Sequence, residues 1–499
     1  MMKDLQTISG WLWSTPMVLL VLGIGTVFTV WMRVPQIRRI PDMLSQLKSG
    51  GGSDRGISSF ESLAMALGGR VGVGNIAGVA AAIGVGGPGA MFWMWLTAIV
   101  GAAVAVVESS LAQVWKEEVE GEYRGGPAYY IEKGLNAKWL ALAYAVATIL
   151  ATTITGPTIQ ANSIAVSAKE AFAIDPRITG LFVATLFCLV VFGGMKRIGR
   201  VCGLMVPFMA IAYVLVGIVV LVVNAEHVPA MFRLIFESAF GMDSMFGGML
   251  GAAILWGVRR AVYSSEAGTG SGAQASAAAE VSHPVKQGLA QGFSVYVDTL
   301  VVCTITGLMI LVTNSYNVLA EDHSAVVQYL PGVDAGPAFT QNAIETVAPG
   351  FGAAFVAIAM FFFAFTTLLS FGFYADTNIA YILRSHRHER TIIRVFQVVL
   401  AASILVGSFR KSDFAWSLAD VGLGLYTWIN LVALIPLVPV AIRVFRDYER
   451  QRKAGEDPVF RPENVGVTNA PLWDSIADHY ERTGEALPAA DSPMKDHQR

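Results

Sequence analysis

Leu67-Gly68-Gly69-Arg70-Val71-Gly72-Val73-Gly74-Asn75 sets four glycines within seven residues, with an arginine and an asparagine, deep inside an apolar segment running from Ser58 to Ile83. Two physical readings compete. Gly74 and Gly78 have the GxxxG spacing that lets spanning helices pack closely. Packing does not call for Arg70 and Asn75, whereas the second reading uses both. In it the run unwinds a spanning helix near mid-membrane, so that freed amides meet anionic groups and freed carbonyls meet cations. A dinucleotide fingerprint is excluded, because no strand–turn–helix context surrounds these glycines.

The rest of the chain supplies the membrane. Hydrophobic residues make up 54% and charged residues 14% of 499, against about 25% charged in a typical soluble domain. Mean hydropathy is +0.55. A net charge of −2 offers no polycation with which to grip nucleic acid. The three cysteines, Cys188, Cys202 and Cys303, lie in apolar runs and read as small core hydrophobes. Trp13–Met32 is long enough to span and lacks signal-peptide flanks, so it reads as a retained helix.

At about 20 apolar residues per crossing, eleven segments qualify: Trp13–Met32, Ser58–Ile83, Pro88–Val114, Trp139–Ala171, Arg177–Phe192, Val201–Val223, Phe246–Tyr263, Val285–Val312, Phe351–Leu383, Ile392–Ser408 and Ser417–Val444. The fourth is long and carries a Gly156-Pro157 break. With the N-terminus outside, the outer segments hold only six Lys and Arg, whereas the inner ones hold 28, nine of them from Arg443 onward. Cytoplasmic loops retain positive charge, so the expected orientation is N-out, C-in. The outer loop, 314–350, has no Lys or Arg. Residues 446–499 are polar and read as a cytoplasmic tail, partly disordered at most and without chemistry of its own.

A second interruption is expected in the seventh segment, at Gly257 and the Arg259-Arg260 pair, ahead of the Gly268-Thr269-Gly270-Ser271-Gly272 run. No P-loop lysine follows, which argues against a phosphate cradle. The broken segments are the second and seventh, five apart. Five is odd, so the second half enters from the opposite side: an inverted repeat with a site where the two broken helices meet. The organisation expected is 1–55 as an extra N-terminal helix and basic loop, 56–225 and 226–445 as five-helix halves, and 446–499 as the tail.

Thr366 and Thr367 follow an aromatic run in the ninth segment. Either they back-bond to the preceding turn, or they join the carbonyls of Gly68 and Val71 around sodium, a hard cation that takes oxygen ligands. Ionisable groups inside spans need a reason. Arg70 has a candidate partner in a substrate carboxylate, Glu61 or Glu108. Alternatively it fills the volume of a second cation site. Glu108 reads as half of a structural ion pair, Asp298 and Asp376 as hydrogen-bonded or proton-carrying groups, and His386 and His388 as part of a basic inner loop.

Gly72-Val73-Gly74-Asn75-Ile76-Ala77-Gly78-Val79-Ala80 and Gly86-Gly87-Pro88-Gly89-Ala90-Met91-Phe92-Trp93-Met94-Trp95 resemble the alanine/glycine:cation symporter family. So do Gly125-Gly126-Pro127-Ala128-Tyr129-Tyr130-Ile131, Glu266-Ala267-Gly268-Thr269-Gly270-Ser271, Gln287-Gly288, Asp298-Thr299-Leu300-Val301-Val302-Cys303-Thr304 and Phe363-Ala364-Phe365-Thr366-Thr367. The resemblance runs from about Trp13 to Phe445. It implies an all-α polytopic membrane protein of the LeuT-like, amino-acid/polyamine/organocation type: ten core helices in two inverted halves after one extra helix. It also implies a sodium-driven importer of small neutral amino acids, alanine and glycine, in the cytoplasmic (inner) membrane.

By the same resemblance Gly72, Val73, Gly74 and Asn75 hold substrate. Gln160, Trp256 and Phe365 line the site. The Phe363 carbonyl, Thr366 and Thr367 hold sodium with the Gly68 and Val71 carbonyls, while Arg70, Glu108 and Asp298 are coupling or ion-pair residues. The chain departs from the family at Val73 for Thr, Ser265 for Asn, Thr269 for Met, Gln274 for Pro, Asp376 for Glu and Ile429 for Pro. A proton-coupled carrier of a related amino acid is the alternative. An enzyme would need a metal cluster or a nucleophile–base pair, and a channel a repeated filter motif; neither pattern is present. No organic cofactor is called for.

Overall fold

The computed structural model describes residues 2–46, 53, 55–320, 324–384 and 386–484. It is helical apart from two short hairpins, Glu117–Val119 with Glu122–Arg124 and Asn317–Leu319 with Ala325–Gln328. Among the described residues eight helices are long and apolar enough to cross a membrane, or nine if the bent pair Ser59–Arg70 and Gly74–Gly86 is one span. Pro176–Val191 is a shorter apolar helix. Lipid-facing residues such as Leu204, Phe208 and Ile211 remain exposed on the Gly194–Val223 helix, as expected of a chain whose solvent there is hydrocarbon.

The first broken helix begins with a capping box: Ser58 Oγ accepts from Glu61 N–H, and the Glu61 side chain accepts from Ser58 N–H. That commits Glu61 to the helix start and takes it away from Arg70. The helix ends at Val71 (φ −74°, ψ 83°) and resumes as a π-turn over Gly74–Gly78, bent by 48°. The expected break is therefore present.

The second break lies further along than the sequence suggests. Leu250–Ser265 is one unbroken helix through Gly257, Arg259 and Arg260; it stops at Glu266, which turns left-handed (φ 51°), and Ser271–Ala277 resumes after Gly268 (φ 87°) and Gly270 (φ 81°). Gly257 is a packing glycine instead: a Cβ there would lie 2.6 Å from the Ala90 carbonyl oxygen. The Gly156-Pro157 feature is likewise no break. Lys138–Phe172 runs on, widened by a π-turn at Ala151–Thr155, with Pro157 seated at the start of the following helical segment, where its missing N–H is harmless.

The tail also departs from expectation. The Ser412–Lys453 helix is followed by a segment that packs back on the protein and ends in the helix Leu472–Thr483. Trp473, Ile476 and Ala477 share one helical face and are fully buried, as is Phe460. Trp473 Nε1 donates to the Gln113 carbonyl at 3.0 Å, Trp115 Nε1 to that of Thr468 at 3.0 Å, and Phe460 N–H to that of Ser282 at 2.9 Å. A short apolar face hidden in charged composition gives no sustained period, which is why it reads as a polar, partly disordered tail. The part of that expectation covering 485–499 lies outside the described residues.

His283 is buried against Asp447, 3.3 Å away, under this tail. Burial pushes its imidazole below the ordinary 6.5, so the docked state holds it neutral. The undocked chain binds the extra proton first as pH falls. Docking is therefore expected to be unaffected above about pH 6.5 and to weaken below it. Trp473→Ala should remove about 3–5 kcal/mol of packing. Limited proteolysis in the 454–471 segment checks both: cleavage should rise sharply in the variant and, in the native chain, on acidification. A protection pattern unchanged by either would contradict this docking.

Candidate functional site

The two breaks meet, and the groups they free are taken up side by side. At the first, Asn75 Oδ1 accepts from Gly72 N–H at 2.9 Å, and Gln160 Oε1 accepts from Val73 N–H at 3.3 Å. Asn75 Nδ2 donates to Asp298 Oδ1 at 2.7 Å, and Asp298 also accepts from Ser264 Oγ at 2.9 Å and Thr299 Oγ1 at 2.7 Å. At the second, Glu108 accepts from Gly268 N–H at 3.4 Å, Gly270 N–H at 3.1 Å and Asn430 Nδ2 at 3.1 Å. Tyr144 donates to the Thr269 carbonyl at 3.0 Å.

Among the described residues Glu108 makes no ion pair; its carboxyl sits on the start of a half-helix, where amides and dipole favour an acceptor. Arg70 is buried and pairs with neither Glu61 nor Glu108 among the described residues. Its Nε donates to the Ser265 carbonyl at 2.6 Å, and its Nη1 to Gln291 Oε1 at 2.8 Å and to Ser294 Oγ. It ties the first broken helix to the second and to the Pro284–Val295 helix.

Thr366 and Thr367 stand against the first break. Thr367 Oγ1 donates to the Gly68 carbonyl at 2.9 Å and Thr366 Oγ1 reaches it at 3.4 Å; the Phe363 carbonyl lies 3.0–3.1 Å from both hydroxyls. Four neutral hard oxygens from two elements 298 residues apart converge there, a donor set suited to a monovalent hard cation. Both hydroxyls also reach back along their own helix, to the Phe362 and Phe363 carbonyls, so the back-bonding reading describes the same atoms. Val71 leaves helical geometry beside them.

A cavity of about 20 Å³ lies between the breaks, lined by Gly69, Arg70, Gly72 and Gly74 of the first, Tyr263 and Glu266 of the second, and Gln160. Ala151, Thr152, Thr155 and Gly156 complete it from the π-turn, and Ala419 and Tyr426 from the last spanning helix. The structure therefore brings together Gly72, Gly74 and Gln160. Asn75 and Val73 brace the break from behind. Phe365 is buried against Phe361, ring centroids 5.5 Å apart, and does not line the cavity. Nor does Trp256, which borders a separate vestibule of about 1000 Å³ that opens where Gln6, Ser9 and residues 332–338 gather.

Between vestibule and cavity stand Arg260, Tyr263 and Trp416. Arg260 lies 4.2 Å from the Trp416 ring centroid, and the Tyr263 and Trp416 rings are 5.1 Å apart. Asp420 holds Arg259 at 2.5 Å and Arg260 at 3.3 Å. The residues missed in sequence include Ala151, Thr152, Thr155, Gly156, Tyr263, Glu266, Phe371, Ala419, Leu423 and Tyr426. Glu266 carried a signal, a carboxylate beside a glycine run inside a span, and Gly156 carried one that was read as a break.

Paired helix breaks, a closed central cavity and a vestibule on one side define a secondary transporter, not an enzyme. A model of the sodium:alanine symporter family matches residues 1–462, and the chain belongs to that family. It is 50% identical over 94% of its length, and 96% of the relative's, to YrbD of Bacillus subtilis (strain 168), provisionally named a sodium/proton-dependent alanine carrier protein. It is 44% identical to the sodium/proton-dependent alanine carrier protein of Bacillus sp. (strain PS3), covering 89% of this chain and 100% of that one. To the sodium/alanine symporter AgcS of Methanococcus maripaludis it is 35% identical, covering 90% and 97%.

Among solved structures it resembles a substrate-bound, outward-open sodium-coupled sialic acid symporter, with TM-score 0.51, 10% identity and 95% and 99% of the two chains covered. MhsT in complex with L-phenylalanine gives 0.50, at 16% identity over 86% and 99%. These likenesses show the LeuT-like fold.

Asp420→Asn should leave two buried guanidiniums short of their counter-charge, at about 3–5 kcal/mol. A clear drop in the thermal midpoint of the detergent-purified protein is expected. An unchanged midpoint would mean Asp420 does not hold this roof together.

Proposed function

We propose that the chain imports alanine and comparably small neutral amino acids, glycine among them, together with sodium. The observation that carries this is the junction at Gly68: the carbonyl freed at the first break meets Thr366 and Thr367, while the glycine-rich break itself walls the cavity. Thr366, Thr367 and the Gly68, Phe363 and Val71 carbonyls hold sodium. The amino-acid carboxylate lies against the amides of Gly72, Val73 and Gly74, displacing the Asn75 and Gln160 oxygens that hold the first two. Tyr263, Phe371, Leu423 and Tyr426 close around the glycine-walled break and leave little width for a side chain. At about 20 Å³ the cavity is contracted, so an amino acid enters only as the two broken helices part.

In this reading eleven spans comprise one extra helix, 1–55, and two inverted five-helix halves, 56–225 and 226–445, in a cytoplasmic membrane. The Lys/Arg distribution supports an outside N-terminus, which turns the vestibule outward. The opposite face is held shut by ion pairs: Arg55 with Glu118 at 3.2 Å, Lys133 with Glu117 at 2.9 Å, and Arg384 with Glu132. Transport exchanges these for closure of the Arg260–Tyr263–Trp416 roof, with substrate and cation passing inward.

Purified protein in sodium-free liposomes should accumulate radiolabelled alanine under an inward sodium gradient and not under a potassium gradient at matched potential. Accumulation indifferent to sodium would refute the coupling. Thr366→Ala should raise the sodium concentration for half-maximal uptake by about tenfold or more, since about 1.4 kcal/mol of lost ligation is tenfold. An unchanged value would remove Thr366 from the site. A Cβ at Gly72 would collide with Thr367 Oγ1 and approach Gln160 Oε1 to 3.3 Å. Gly72→Ala should therefore abolish uptake while the protein still reaches the membrane; normal uptake would contradict the placement of the break.

A further inference from the structure

Arg70, Glu108, Glu266 and Asp298 are sealed between the two breaks, each at most 2% exposed. One guanidinium faces three carboxyls. In a low-dielectric interior an uncompensated charge costs several kcal/mol, so the fully ionised set requires two further cations. A zwitterionic amino acid adds no net charge, and sodium adds one positive charge. One positive charge is still missing.

The hydrogen bonds distinguish the three acids. Glu108 accepts from three donors, two backbone amides and Asn430, and Asp298 accepts from Asn75, Ser264 and Thr299. Both are solvated as carboxylates are. Glu266 accepts from Ser271 Oγ at 2.7 Å, with the Tyr374 hydroxyl as its one further side-chain donor among the described residues. Of the three it is also the one that lines the cavity. Arg70 lines the same cavity and keeps Nη2 buried without a partner among the described residues, yet it gives its other nitrogens to neutral acceptors rather than to Glu266. A buried carboxylate with two hydroxyl donors is less well satisfied than Glu108 or Asp298 with three, and a carboxylic acid in the same place demands fewer.

We propose that Glu266 is the site at which this chain binds a proton and carries it with sodium and the amino acid. The inference rests on the sodium-coupled reading above. The proton enters from the vestibule past Tyr263 into the cavity, whose volume suits about one water. There it forms an O–H bond on the Glu266 carboxylate, and that bond breaks when the cavity opens on the opposite face. The charged and titratable groups facing Glu266 are Arg70 and Asp298, with Tyr374, Tyr144, Tyr263 and Tyr426 from the surrounding helices.

The test uses the full chain in phosphatidylcholine–phosphatidylglycerol liposomes with a pH-sensitive dye inside, an inward sodium gradient, external alanine and the membrane potential clamped. The native protein should acidify the lumen when alanine is added, in proportion to alanine taken up. Glu266→Gln, whatever its transport rate, should bring the ratio of protons to alanine down to background, whereas Glu266→Asp, which keeps the titratable group, should retain it. Gel filtration of both variants checks folding. Should Glu266→Gln fail to fold, Glu266→Asp with a shifted pH dependence of acidification still supports the site, and one with the native dependence overturns it. Sodium-driven alanine uptake by the native chain without acidification would overturn the proton site and leave sodium coupling standing. An undiminished ratio in Glu266→Gln would overturn it as well. Acidification that needs alanine but not sodium would instead refute the sodium reading and keep the proton site.

Discussion

A backbone amide or carbonyl released inside a bilayer has no water to turn to, and each one left unsatisfied costs several kcal/mol. This chain interrupts two helices at the same depth, so its interior is organised around supplying partners to those groups. Asn75 and Gln160 take the amides of Gly72 and Val73. Glu108 takes those of Gly268 and Gly270. The Gly68 carbonyl is taken by two threonine hydroxyls. Buried polar residues that look extravagant in a membrane protein are the partners that make the breaks tolerable.

That constraint also explains why cation and substrate belong together. The hydroxyls that satisfy the Gly68 carbonyl are groups a cation recruits, and the amides just beyond it are groups a carboxylate recruits. In the proposed function both ligands bind this same unwound stretch, and each then raises the affinity of the other through it. Arg70 ties the stretch to the second break through the Ser265 carbonyl and to the neighbouring helix through Gln291. A change at either break is therefore felt at both, as a rocking transporter requires.

The fold and the first break were legible because their signals are local. Apolar length reveals spans, and four glycines beside an arginine reveal an unwound helix. The second break was misplaced because Gly257 and the Arg259–Arg260 pair mimic an interruption. Their partners, the Ala90 carbonyl and Asp420, are distant in sequence and invisible to local reading. The actual break needs positive φ at Gly268 and Gly270, a demand that glycine meets without a Cβ penalty. Trp256 and Phe365 were assigned by position in a motif, but helix rotation turns one to the vestibule and the other into a stack on Phe361. Thr152, Thr155 and Gly156 reach the cavity at a π-turn, where the sequence offered only the Gly156-Pro157 pair and suggested a break instead of a widened helix. The docked tail was hidden for a related reason: three apolar positions on one short helix are too few to stand out from charged surroundings.

The central claim is that cation and amino acid bind to one unwound element. Equilibrium binding to the purified, detergent-solubilised protein tests it without transport: alanine affinity is measured in sodium and in choline, and sodium affinity with and without alanine. The account predicts that sodium tightens alanine binding by a factor on the order of 5–150, and that alanine tightens sodium binding by the same factor. Alanine affinity identical in sodium and choline would contradict it.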